Sequence, residues 1–240
     1  MKNGFNDYNR YDADVYAIRQ RAGLSRYLSG VFAWMFLGLL VTAFTAFYCA
    51  GSYTLISAMV SNPLLLIGMA VAEFALVLYL SARIMKMGYK TAVSLFILYS
   101  ALNGITLSVV LLAFTLSSVA YAFAITSATF GFMSIYGYIT RTDLTKAGNI
   151  LFMGLVGLVI LSLVNMFLHI SSVEWLISVL GLFVFLGLAA YDTQKIKRYY
   201  YEAAGNYEAV RKTAIMGALQ LYLDFINLFL ILLRLVGRRR

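Results

Sequence analysis

Seven apolar stretches, each approaching or exceeding the roughly 20 residues that cross a bilayer as a helix, constrain this chain more than any other feature. They run near Leu28–Ala50, Leu64–Ala82, Thr91–Phe114, Val119–Ile139, Ile150–Leu168, Val173–Tyr191 and Ala214–Val236. Short polar connections separate them, and Pro63 stands just before the second stretch, where proline starts a helix without loss of a hydrogen bond. A soluble domain is excluded: 62% of the 240 residues are hydrophobic and only 12% are charged, against roughly 25% charged in soluble domains. No repeat, linker or low-complexity tract interrupts the pattern. The expected architecture is all-α and integral to the membrane, with seven transmembrane helices in one domain over residues 27–236. An N-terminal arm (residues 1–26) precedes it and a basic tail (residues 237–240) follows it.

The net charge of +9 does not point to nucleic acid, because the basic residues crowd alternate connections as cytoplasmic loops do. The arm carries Lys2, Arg10, Arg19, Arg21 and Arg26. The second-to-third connection holds Arg83, Lys86 and Lys90, and the fourth-to-fifth holds Arg141 and Lys146. The sixth-to-seventh holds Lys195, Lys197, Arg198, Arg211 and Lys212. Connections Gly51–Pro63, Thr115–Ser118 and His169–Ser172 contain no Lys or Arg. This asymmetry places the N-terminus in the cytoplasm of a multi-pass protein of the plasma or inner membrane. Arg234 and Arg238–Arg240 then fall on the outer side, against the same rule. Either the last segment crosses fully, or it re-enters and returns.

Nothing indicates an enzyme or a tightly bound cofactor: there is no P-loop, GxSxG, HExxH or CxxC. The single Cys49 excludes an internal disulfide. No secretory signal is visible, since the polar, tyrosine-bearing N-terminus leads into an apolar run too long for a cleaved segment.

Chemistry concentrates in acids inside the apolar runs, where a carboxylate is costly unless neutralised, paired or wet. Asp224 lies within LQLYLDFINLFLILLRLV, and Asp192 closes the preceding span in AAYDTQKIK. With upright helices Asp192 sits near the cytoplasmic boundary and Asp224 roughly 12 Å deep, a mismatch of roughly 10 Å. Two carboxylates that approach in a low dielectric cannot both ionise freely. Such a pair would share a proton at low pH and bind a hard cation at high pH. Ca²⁺ wants six to eight oxygens and two Asp offer at most four, which implies a weak, transient site. The alternative is that each Asp only bonds a neighbouring helix.

Other polar groups follow the same logic. Arg83 reaches the level of Asp192 and could latch it by an ion pair, or simply snorkel to headgroups. Glu73 could transfer protons, line a pore, or sit protonated between helices. Asn103, Asn165 and Asn227 are expected to hydrogen-bond between helices. Asn227, three residues after Asp224, shares its face and is the best placed of them to line a path. His169, the single histidine, could sense pH but reads better as a wet interfacial side chain.

AAYDTQKIK (Ala189–Lys197) followed by LQLYLDFINLFLILLRL (Leu219–Leu235) resembles the paired signature of the transmembrane Bax inhibitor motif family. SRYLSGVFAWMFLGLLVTA (Ser25–Ala43) resembles the start of that family's domain, and the likeness runs from about Gly23 to Val236. The resemblance implies a last helix that is central and wrapped by the other six, and a pH-sensitive Ca²⁺ leak. It implies that Asp192 and Asp224 form a proton-sharing pair, that Arg83 latches the sixth-span aspartate, and that Glu73 belongs to the proton-linked gate. The short arms look bacterial, so the animal members' anti-apoptotic role is not carried over.

Two functions from different classes follow. The first is a passive Ca²⁺ leak gated by protonation of Asp192 and Asp224, with the bilayer, Ca²⁺ and protons as partners. The second is a modulator of a membrane protease, acting through the N-terminal arm and without transport. A proton-coupled transporter is weakened by the absence of inverted repeats.

Overall fold

The structure, a computed structural model, describes the backbone of residues 3–238 and the side chains of residues 20–238 except residue 63. Among the described residues there are eight helices and no strand. They are α1 (Asn3–Ala50), α2 (Tyr53–Ser61), α3 (Pro63–Arg83), α4 (Tyr89–Ala113), α5 (Leu116–Ile139), α6 (Thr145–Leu168), α7 (Ser171–Glu202) and α8 (Tyr207–Val236). Seven are long and apolar enough to cross a membrane, and α2 is the exception. With no water in the hydrocarbon core, each span must pair its own backbone groups, which a helix does and an irregular segment cannot.

The breaks follow local chemistry. Pro63 opens α3 at the first helical position, where its missing N–H would have been unpaired anyway. Thr115 caps α5 by accepting from the Ser118 N–H, and Asn206 caps α8 by accepting from the Ala209 N–H. His169 ends α6 in the left-handed region at φ 53°. There the Asn165 side chain accepts from the Ile170 N–H at 3.1 Å, so Asn165 closes its own helix instead of bonding a neighbour. Gly205, at φ 91°, allows the tight α7–α8 turn that a side chain would strain.

α8 is the core of the bundle. In its most apolar 18-residue window 72% of residues are buried, against 6% in α6. Leu219, Leu221, Tyr222, Leu228 and Leu233 point in different directions around α8, and all are sealed from solvent and lipid. Burial on every side, not apolarity, marks α8 as the interior helix, since the more apolar α6 lies at the periphery. α8 packs directly on α1, α4, α5 and α7, while α3 and α6 complete the ring of six from outside.

Several boundaries differ from the sequence reading. The connection over Gly51–Pro63 contains the short helix α2. α1 begins at Asn3, so the backbone of the expected arm from residue 3 onward is part of α1; the side chains of residues 3–19 lie outside the described ones. α7 and α8 extend through the basic connection, because Lys and Arg there satisfy water as well in a helix as in a loop. α8 is continuous to Val236 and does not re-enter. Beyond it the Arg238 carbonyl accepts from the Thr115 N–H at 3.1 Å, and the Arg238 N–H donates to Ser118 Oγ at 2.8 Å. The chain therefore leaves the bundle beside the α4–α5 turn, at the end with the uncharged connections.

Candidate functional site

Small residues bring α7 close to its neighbours and set the direction of Asp192. Ala189, Ala190 and Thr193 are buried, and Gly137 of α5 lies against the Ala190 backbone. Close approach of this kind replaces the hydrophobic drive that is absent between helices in lipid. Gln194 adds a clamp: its amide donates to the Thr142 carbonyl at 2.8 Å and its oxygen accepts from the Leu144 N–H at 2.9 Å. Lys197 donates to the Tyr138 carbonyl. Thus Gln194 and Lys197, three residues apart on one face of α7, hold the end of α5 and the α5–α6 connection, and another face turns to the interior.

That face carries Phe185, Leu188, Asp192 and Lys195, which line a cavity of about 1100 Å³. α8 contributes Gln220, Asp224, Asn227 and Arg234, spaced four, three and seven residues apart along one stripe. Glu73 of α3 and Tyr99 of α4 face the same space, with α6 as the further wall. A second cavity of about 380 Å³ between α1, α4, α5 and α8 is lined by apolar side chains, with Thr42 as the polar one. It offers no charged group to an ion.

The Asp192 and Asp224 carboxyl groups, on the adjacent helices α7 and α8, line the same cavity. Asp224 is 5% exposed, and its Oδ2 has no hydrogen-bond partner. Asp192 is half-buried at the cavity wall. Counting along α7 and α8 from their connecting turn still sets Asp224 seven residues, about 10 Å, deeper. Side chains lean toward their own helix N-terminus, and in an antiparallel pair those leans converge. Asp192 leans into the membrane and Asp224 leans back toward the turn, which narrows the mismatch. A hydrogen bond between two carboxyls needs one proton between them, so the pair can hold one.

Lys195, three residues beyond Asp192 on the same helix, acts electrostatically on Asp192. Its ammonium lies 5.7 Å from the Tyr191 ring centre and 5.8 Å from that of Tyr199. Arg83 is not brought to Asp192. It is exposed at the end of α3 and forms no ion pair among the described residues. The reason is topological: α3 packs on α2 and α4 and has no substantial contact with α7. The positive charge beside Asp192 is Lys195.

Glu73 is buried and accepts from the Thr106 hydroxyl and from Asn103 Nδ2 at 3.3 Å. Asn103 Oδ1 accepts from the Tyr222 hydroxyl at 3.2 Å, and Thr42 Oγ1 lies 2.7 Å from that hydroxyl. A polar chain therefore crosses α3, α4, α8 and α1, touching α8 on the side opposite Asp224. Asn103 bonds between helices as its residue type predicts. Asn227 lines the cavity, but its amide donates to Leu223 of its own helix at 2.8 Å.

The family model described as "Inhibitor of apoptosis-promoting Bax1" matches residues 24–240. The chain belongs to that family. Among its relatives, the inner membrane protein YbhL of Escherichia coli K12 is 46% identical over 233 residues, covering 97% of this chain and 100% of YbhL. An uncharacterized protein of Borreliella burgdorferi is 44% identical over 216 residues, or 90% and 93% of the two chains. A Rickettsia prowazekii protein, RP147, is 45% identical over 218 residues, or 91% and 92%. The matched region contains six of the seven spans whole, the first from Leu24 onward, and every residue of the cavity described above.

Lys195, Gln220 and Tyr222 were not singled out in the sequence. Gln220 had a signal, since it stands one turn before Asp224 as Asn227 stands one turn after it. Tyr222 had none among 18 tyrosines.

Proposed function

We propose that this protein is a pH-sensitive Ca²⁺ leak of the cell membrane, with protons and Ca²⁺ competing for the Asp192–Asp224 pair. The observation that carries the reading is a pair of carboxyl groups, from two adjacent helices, on the wall of one large cavity between membrane-spanning helices. With one proton between them the pair is at most singly charged. Without that proton it presents two charges and up to four oxygens to a hard cation, too few for tight holding. A site of that kind suits passage better than storage. Lys195 supports the ionised state from the turn side, and Glu73 and Asn227 face the same path.

Orientation with the N-terminus in the cytoplasm is supported by the Lys/Arg asymmetry of the connections. The Escherichia coli relative YbhL, an inner membrane protein, supports an inner-membrane location. The test is Ca²⁺ flux into liposomes holding the purified protein, measured across a pH series. Asp224→Asn should flatten the pH dependence, because the isosteric amide cannot exchange a proton in this range. Unchanged flux and pH profile in both Asp192→Asn and Asp224→Asn refutes the reading.

A further inference from the structure

Two buried oxygen acceptors on one face of α8 lack partners: Asp224 Oδ2 and Gln220 Oε1. They stand four residues apart, one helical turn, and both residues line the same cavity. Buried acceptors are almost always satisfied, so an orphan in a native site asks what completes it. Two neighbouring orphans of the same kind cannot complete each other. They need a donor or a cation.

At Gln220 the nitrogen end of the amide is engaged. Its Nε2 donates to the Tyr199 hydroxyl at 3.4 Å, and Tyr199 lies on α7 one turn beyond Lys195. The nitrogen is thereby held at the cavity wall and the oxygen is left unpaired. Asn227 repeats the arrangement on the other side of Asp224, with its nitrogen tied to the Leu223 carbonyl. The stripe thus presents amide, carboxyl and amide in sequence, with each amide nitrogen already engaged. The charged groups facing this space are Asp192 and Lys195 from α7, Asp224 and Arg234 from α8, and Glu73 from α3. Glu73 is occupied by Thr106 and Asn103, and the Lys195 ammonium sits between two tyrosine rings.

We infer that Gln220 is a cation-binding residue: its side-chain carbonyl supplies a neutral oxygen beside the carboxyl pair, and Tyr199 holds the amide in the orientation that presents it. The inference rests on the proposed leak and deepens it, by assigning one of the oxygens that two aspartates cannot provide. A neutral carbonyl adds coordination without adding charge, which strengthens selection for a hard cation while keeping its residence short.

The test is equilibrium binding of radioactive Ca²⁺ to the purified full chain in detergent, above neutral pH. Wild type is compared with Gln220→Leu, Gln220→Glu and Asp224→Asn, each first checked for a monodisperse gel-filtration profile. Gln220→Leu should weaken binding by about tenfold, at the lower end of what losing a partner costs a metal site. Gln220→Glu keeps the shape, adds a charged oxygen and should tighten binding, so the inference stays testable if the leucine variant fails to fold. Wild-type affinity in Gln220→Leu or in Gln220→Glu, with binding lost in Asp224→Asn, overturns the role of Gln220 and leaves the carboxyl pair standing. Equal binding in wild type and Asp224→Asn, or binding in neither, overturns the leak reading and this inference together.

Discussion

Gly137 is where the fold holds Asp192 in place, and Gly137→Ala should show it. A Cβ built at Gly137 would lie 2.1 Å from the Ala190 carbonyl oxygen, 2.8 Å from its carbon and 2.9 Å from its Cα. Ordinary contact begins near 3.4 Å, so α5 and α7 must separate by about 1 Å. The opposing atoms are backbone, and no rotamer change can relieve them. Overpacking typically costs 1–3 kcal/mol, and a clash that moves two helices belongs at the upper end, about 3 kcal/mol. For a chain of this size that corresponds to a melting temperature lower by about 6–12 °C. Gly131, on the same helix, is the internal control, because a Cβ there meets nothing within 4 Å. Gly131→Ala should be neutral or slightly stabilising, since alanine favours helix over glycine. Thermal unfolding in detergent, read by loss of the monodisperse peak, measures both variants. If Gly137→Ala melts with Gly131→Ala, the α5–α7 approach does not limit the structure and the reasoning is wrong. In the proposed leak the same displacement moves the Asp192 turn, so Gly137→Ala should also distort the pH profile of flux.

Three further outcomes are expected. Tyr222→Phe removes the hydroxyl joining Thr42 and Asn103 and should cost about 1–2 kcal/mol. A double-mutant cycle with Thr42→Val should show coupling of about 0.5 kcal/mol or more, and strict additivity would count against the polar chain. Asp143, in the α5–α6 connection, accepts from the Thr145 hydroxyl at 2.6 Å and the Thr145 N–H at 2.9 Å, which holds its carboxyl below the usual carboxylate range. Its contribution to stability is therefore present above the ordinary carboxylate value and lost as pH falls through the lowered one. Thr145→Val should return the titration toward the ordinary value, read by carboxyl carbon NMR; an unmoved midpoint would refute this. Finally, Arg83→Ala should leave Ca²⁺ flux within about twofold, as suits an exposed side chain without an ion pair. Lys195→Met should change the pH profile, and the reverse ranking would restore Arg83 as the partner of Asp192.

The sequence by itself determined the fold class and most of the span boundaries. Apolar runs of bridging length admit one solution once backbone groups must be paired inside the segment. It also marked Asp192, Asp224 and Glu73, because an acid is conspicuous in an apolar run whatever surrounds it. Which groups meet was decided only by tertiary structure. Residue counting separates Asp192 from Asp224 by about 10 Å, and the converging lean of side chains in an antiparallel pair is not visible in a count. Arg83 and Lys195 sit in equally basic connections, yet α3 packs away from α7, so the charge beside Asp192 comes from its own helix. Gln220 and Tyr222 are two residues apart on α8 and face opposite sides, one toward the cavity and the other into the α1–α4 seam. Composition makes them ordinary polar residues of a helix, and the neighbours that assign each its task come from segments far away in the chain.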